Sequence, residues 1–165
     1  MLNSADLLDE LTSLGVEHEV EHHQAIFTMA ESDALELSLD GMRCKNLLLR
    51  DRKDNHYLLM TTAEKSVDLS RLSQTLGSGR LSLASPERLF ALLGVRPGAL
   101  SPLALVNDTE RQVELIVDED LGTASHYVLH PLDNGISVQL SSVALQRFMA
   151  EIQHGLSWVV IAARS

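Results

Sequence analysis

Nothing constrains this chain more than two apolar runs in its middle, residues 44–50 and 56–62. They are split by the charged stretch Asp51-Arg52-Lys53-Asp54-Asn55. Runs of that length around a polar, Asx-containing loop predict a β-hairpin. The rest of the chain repeats the theme with short elements. Leu7, Leu8, Leu11 and Leu14 form one helical stripe, with Ser4 as a cap and Gly15 as a stop. Residues 16–22 alternate Val16, His18 and Val20 with three glutamates, a strand with one polar face. Thr28-Met29-Ala30-Glu31 fits a capping box and predicts a short helix after Phe27.

Further on, Asp68 caps a helix that buries Leu69, Leu72 and Leu76 and stops at Gly77. Ser85-Pro86-Glu87 opens another, closed by Gly94. Residues 94–102 hold two Gly and two Pro, a constrained loop. Strands are expected at 103–106, 113–117, 127–130, 136–140 and 158–162. A last helix, capped by Ser141 or Ser142, is expected to carry Val143, Leu145, Phe148, Met149 and Ile152 and to end at Gly155. About seven strands and five short helices, with several strand pairs joined by short loops, predict an α+β fold. The expected architecture is a mixed, mostly antiparallel curved sheet or small barrel flanked by short helices, in one domain spanning residues 1–165.

Composition narrows the classes. Apolar residues make up 45% and charged residues 22%, enough for a packed core in a chain of 165 residues. No apolar run approaches the length of a membrane span, and no cationic leader precedes an apolar stretch, so a cytoplasmic protein is expected. Cys44 is the only cysteine, which excludes an intramolecular disulfide and a cysteine-based zinc site. The net charge of −10 argues against a protein that coats nucleic acid. The charge is uneven, however. Residues 1–42 carry ten acids and no Lys or Arg, whereas residues 43–80 carry eight bases against four acids. That basic segment could meet a polyanion locally.

The usual chemical signatures are missing. No phosphate-binding glycine loop and no nucleophile elbow occurs. His22 and His23 are adjacent and would face opposite sides of a strand, so they make a poor metal pair. Cys44 reads as a buried, inert thiol.

Four segments, in order, carry a resemblance. They are Cys44-Lys45-Asn46-Leu47-Leu48-Leu49-Arg50-Asp51, Gly79-Arg80-Leu81-Ser82-Leu83-Ala84-Ser85-Pro86-Glu87, Leu93-Gly94-Val95-Arg96-Pro97-Gly98-Ala99-Leu100-Ser101-Pro102 and Leu129-His130-Pro131-Leu132-Asp133-Asn134. Together they resemble the YbaK/aminoacyl-tRNA deacylase superfamily, which includes the editing insertion of bacterial prolyl-tRNA synthetase. The resemblance is nearest to its free-standing alanyl-tRNA(Pro) deacylases. It implies a hydrolase that removes a wrong amino acid from tRNA(Pro), the remedy when a synthetase pocket cannot exclude a smaller side chain. It implies the aminoacylated tRNA 3′ end as partner and admits prolyl-tRNA synthetase as another. No metal, cofactor, membrane or DNA is expected.

By the same resemblance, Lys45 and Gly98 are the catalytic candidates. Lys45 would place a cation on the substrate's terminal phosphate or ester. The loop Gly98, Ala99, Leu100, Ser101 and Pro102 would turn backbone N–H groups towards the ester carbonyl. Asn46 would hydrogen-bond the substrate. His130 would wall the amino-acid pocket, with Asn134 in the same motif. Water is the expected nucleophile, helped by a free ribose hydroxyl of the substrate. Leu103, Leu48 and the order His154-Gly155 depart from the family pattern and leave the pocket's shape open. Cysteinyl-tRNA(Pro) or another aminoacyl-tRNA is the alternative substrate. A non-catalytic module that binds tRNA or a synthetase is the alternative class.

Overall fold

The computed structural model describes residues 1–25, 30–31 and 37–165. Among these, eight strands form one curved, unclosed sheet, so the expected α+β architecture takes its open-sheet form. The strands are β1 (Glu19–His22), β2 (Met42–Arg50), β3 (His56–Thr62), β4 (Ser82–Leu83), β5 (Val113–Asp118), β6 (His126–Leu129), β7 (Ile136–Ser141) and β8 (Leu156–Val159). Their order is β1-β7-β6-β2-β3-β5-β8, with β4 also on β2. Four pairings are antiparallel, and three are parallel: β2 with β6, β3 with β5 and β5 with β8.

The hairpin expected in the middle is present, with Cys44 opposite Thr62 and Arg50 opposite His56. Asp51 fixes its loop. Its carboxylate accepts hydrogen bonds from the backbone N–H of Lys53 and of Asn55, both at 2.9 Å.

Four α-helices lie wholly within the described residues: α1 (Ser4–Ser13), α2 (Leu69–Leu76), α3 (Pro86–Leu93) and α4 (Ser142–Glu151). Asp68, Ser85 and Ser141 cap α2, α3 and α4, and Gly77 and Gly94 close α2 and α3 in the left-handed conformation. Asn3, rather than Ser4, caps α1, because its side chain accepts from Asp6 N–H at 2.9 Å while the Asp6 carboxylate accepts from Asn3 N–H. The helix expected after Phe27 falls largely on residues outside those described.

Three expectations are corrected. Residues 102–107 form a 3-10 helix, not a strand. Pro102 sits in its first turn and cannot donate to a ladder, and residues 102–105 are all buried, without the alternation a strand would show. The last helix ends before Gly155. Gln153 (φ 57) adopts the left-handed turn, and His154 N–H reaches back to the Met149 carbonyl at 2.8 Å. The final strand is therefore displaced towards the N-terminus, to Leu156–Val159.

The sheet buries a separate core on each face, because successive strand residues point to opposite sides. Leu48, Leu58, Met60, Leu115 and Val117 pack on one face with Leu7, Leu11, Leu93, Leu103 and Phe148. Leu49, Leu59 and Ile116 pack on the other with Leu72, Val67 and Ile161. β3 is covered on both faces, so its residues from His56 to Thr61 are all buried.

Candidate active site

β2 supplies the first part of the site because its free edge is interrupted. Met42 and Arg43 pair with β6, and Leu49 and Arg50 pair with β4. Side chains between these are positioned by the sheet, and among the described residues the edge at 44–47 has no strand partner.

Alternation then divides the candidates. Asn46 shares the face of Leu48, and Lys45 shares the opposite face with Leu49. On the Asn46 face lies a small cavity of about 30 Å3. Leu37, Arg43, Cys44, Asn46, Val128, Leu129, His130 and Ser137 line it. Asn46 Oδ1 is buried and, among the described residues, has no hydrogen-bond partner. Leaving a buried acceptor unpaired costs about 1–3 kcal/mol, so such an atom marks where a donor is missing.

His130 walls the cavity just after β6. Its Nδ1 lies 2.9 Å from the Ile136 carbonyl. A carbonyl only accepts, so Nδ1 carries the proton and Nε2 is bare in the neutral ring. Burial holds the His130 pKa below the ordinary histidine value, and the bond to Ile136 opposes this without cancelling it. His23 meets the His130 ring edge-on at 6.1 Å between centroids, and its Nε2 pairs with Ser137 Oγ at 2.7 Å. Burial pushes the Cys44 thiol up to about 12, which removes the thiolate a nucleophile would need.

The Gly-Pro loop is anchored to this wall from the core side. Ala99, Leu100, Ser101 and Pro102 are buried. Ser101 Oγ donates to the His130 carbonyl at 2.6 Å and accepts from Leu103 N–H at 3.2 Å. Pro97 and Gly98 form a turn closed by Ala99 N–H on the Arg96 carbonyl at 3.1 Å. Gly98 has φ 94, a conformation that favours glycine, and it is exposed. Leu132 (φ 69) is a leucine held in the left-handed region within the His130–Asn134 segment, a strain of about 1–3 kcal/mol that the surrounding hairpin sustains. Asn134 sits in the turn between β6 and β7, beside Asp133, whose carboxylate accepts from Gly135 N–H at 2.7 Å.

Lys45 is half-buried, and its Nζ donates to the backbone carbonyl of Lys65. Burial lowers its pKa, and the nearby Glu64 carboxylate opposes that shift. Lys65 itself is bound to Asp118 at 2.7 Å, Asp120 at 2.8 Å and the Ile161 carbonyl at 2.8 Å. Thr61, the cross-strand neighbour of Lys45, donates to the same Asp118 oxygen at 2.6 Å.

The structure thus gathers Asn46 and His130 at one cavity and ties Ser101 to its wall. Gly98 stands in the outer turn of the loop, and Lys45 lies across the strand. Sequence reasoning missed His23, Ser137, Lys65 and Asp118. Only the adjacency of His23 to the alternating strand hinted at one of them. Among the described residues, no helix is long and apolar enough to cross a membrane.

Comparison with known proteins identifies the family and the fold. A prolyl-tRNA editing protein, ProX, of Acetoanaerobium sticklandii is 32% identical over 144 residues, covering 87% of this chain and 88% of that protein. The prolyl-tRNA synthetase associated domain-containing protein 1 of Danio rerio is 34% identical over 151 residues, covering 90% and 82%. A solved structure described as a proposed trans-editing enzyme for prolyl tRNA synthetase superimposes with a TM-score of 0.73 at 19% identity, covering 100% of this chain and 99% of that one. The crystal structure of the hypothetical protein APE2540 gives the same TM-score at 18% identity, covering 94% and 99%, which shows the shared fold. The family model for the aminoacyl-tRNA editing domain matches residues 23–148, spanning β2, the Gly-Pro loop and the His130 segment, so this chain belongs to the aminoacyl-tRNA editing family and is an aminoacyl-tRNA deacylase.

Proposed function

We propose that this chain, as one editing domain over residues 1–165, acts in the cytoplasm to clear alanyl-tRNA(Pro). The observation that supports the reading is the unpaired Asn46 Oδ1, buried on the face of β2 that meets a small cavity walled by His130. An aminoacyl ester brings an ammonium donor beside its side chain, and the side chain of alanine is a single methyl. Names among the relatives support tRNA(Pro) as the carrier, with prolyl-tRNA synthetase as a natural second partner.

In this reading Lys45 binds the negative 3′ end of the tRNA. An ammonium carries three donors, so it has capacity beyond the Lys65 carbonyl. The Gly98 turn, with Ala99 to Pro102 behind it, directs backbone N–H groups at the ester carbonyl oxygen as charge develops there. Water attacks the carbonyl carbon, and the bond to the ribose oxygen breaks. That oxygen leaves with a proton, and the products are free alanine and uncharged tRNA. The free neighbouring ribose hydroxyl of the substrate orients the attacking water. His130 limits the side chain admitted, and Asn134 supports the turn that carries it.

The deciding experiment measures deacylation of alanyl-, cysteinyl- and seryl-tRNA(Pro) side by side. Alanyl-tRNA(Pro) is expected to turn over fastest. Preference for the cysteinyl ester would reassign the substrate, and tight tRNA binding without turnover of any ester would make the chain a binding module. Alanyl-tRNA(Pro) lacking the free ribose hydroxyl is expected to hydrolyse far more slowly, and equal rates would remove that hydroxyl from the mechanism.

A further inference from the structure

The ionic knot behind β2 is unused by the chemistry above, yet Lys45 hangs from it. Lys45 Nζ donates to the carbonyl of Lys65, in the turn that follows β3. Backbone bonds close that turn, from Lys65 N–H to the Thr62 carbonyl at 3.3 Å, and tie the Ser66 carbonyl to Arg164 N–H at 2.8 Å; the Lys65 side chain adds the ionic tie. Its ammonium is bound at once to Asp118 at the end of β5, to Asp120 just beyond and to the Ile161 carbonyl in the C-terminal segment. Asp118 is 1% exposed. One of its carboxylate oxygens takes both Lys65 and Thr61, and the other takes Asp120 N–H at 2.9 Å. The knot joins β3, β5 and the C-terminal segment, and one backbone carbonyl links it to the lysine of β2.

We propose that Lys65 is a positioning residue for editing. Clamped by Asp118, it fixes the carbonyl that holds the Lys45 ammonium ready for the 3′ end of the aminoacyl-tRNA. The inference rests on the assignment of Lys45 as the residue that binds that end. A free lysine side chain samples many rotamers, and a single fixed acceptor removes most of that freedom before substrate arrives. Lys65 contributes no donor to the substrate, because Asp118, Asp120 and Ile161 take up its three. It acts through the placement of its neighbour.

The test is a double-mutant cycle on binding, which stays measurable when turnover is lost. The probe is an acceptor-stem microhelix of tRNA(Pro) ending in 3′-alanylamido-adenosine, an amide that cannot be hydrolysed at the ester. Dissociation constants are measured for wild type, Lys45→Ala, Lys65→Met and the double variant. Lys65→Met is expected to weaken binding about tenfold, within the range for coupled neighbours, and to add nothing in the Lys45→Ala background. Lys65→Arg, which can keep both carboxylate partners, is expected to recover most of the loss.

Two results would overturn the positioning role and leave Lys45 in place. One is unchanged binding by Lys65→Met while Lys45→Ala binds poorly. The other is an equal loss from Lys65→Met in both backgrounds, as a purely structural residue would give. Normal binding by Lys45→Ala would overturn the assignment of Lys45 and this inference with it. If Lys65→Met does not fold, Thr61→Val, which removes one bond to Asp118 at constant shape, replaces it in the same cycle with a smaller expected loss.

Discussion

The two faces of β2 at Lys45 and Asn46 are built on opposite principles. On the Asn46 side a small cavity is lined by Arg43 and by neutral groups: a carboxamide with a buried unpaired oxygen, an imidazole whose pKa is lowered by burial and a thiol pushed far from ionisation. On the Lys45 side the groups are charged: Lys65 pairs with Asp118 and Asp120, Asp118 carries three hydrogen bonds, and Lys45 holds one carbonyl with donors to spare. A satisfied network fixes geometry and gains little from a ligand. A pocket with an unsatisfied acceptor gains free energy when a ligand supplies the missing donor. The knot behind Lys45 therefore supports, whereas Lys45 itself and the Asn46 face keep hydrogen-bonding capacity for a ligand.

The largest test of this contrast removes the support. Asp118→Asn takes the charge from a pair buried to 11% and 1% exposure, and is expected to cost about 3–5 kcal/mol in denaturant unfolding. A loss below 1 kcal/mol would show the knot to be dispensable. Next, Lys45→Ala is expected to reduce deacylation about 10²–10³-fold, the range for one electrostatic stabiliser, while the unfolding transition stays cooperative. Near-normal turnover would remove Lys45 from the chemistry.

On the recognition side, Ser101→Ala strips one hydrogen bond from the His130 carbonyl and one from Leu103 N–H in a fully buried place. It is expected to cost about 1–3 kcal/mol and to loosen discrimination against larger esters. Unchanged selectivity would separate the loop from the pocket wall.

The smallest effects are in pH, and they have opposite signs on the two faces. Burial depresses the His130 pKa, so the folded state resists protonation. Its contribution to stability is complete above about 6.5 and is lost as pH falls through the lower folded value. For Lys65, burial alone would lower the pKa, but the bonds to Asp118 and Asp120 outweigh it and raise the value. That contribution is complete below 10.5 and is lost as pH rises through the folded value. Unfolding free energy measured against pH is expected to lose part of its acid slope in His130→Gln and part of its alkaline slope in Lys65→Met. An unchanged profile in either variant would clear that group of the role.

Much of the fold was legible locally. Asp68, Ser85 and Ser141 act as caps because a short side chain reaches the orphan N–H groups within one turn, and Gly77 and Gly94 stop helices because they accept positive φ. The loop at 94–102 was readable as constrained because proline and glycine set backbone angles by themselves. Residues 103–106 were misread, because an apolar run has the same composition in a buried 3-10 helix as in a strand. Gln153 was missed for a related reason: a non-glycine residue takes the left-handed turn when the chain beyond it demands one.

By itself, then, the sequence determined the hairpin, most helix ends, the Gly-Pro loop and, through four ordered segments, the family. Those features rest on interactions within a few residues of one another or on motifs met in order. Only the tertiary structure decided that Lys65 and Asp118, 53 positions apart, close a knot, that Ser101 reaches His130 across 29, and that His23 pairs with Ser137 across 114. Bringing such distant side chains together costs loop-closure entropy that no local propensity reveals, and it is offset only when the whole sheet and both of its cores form.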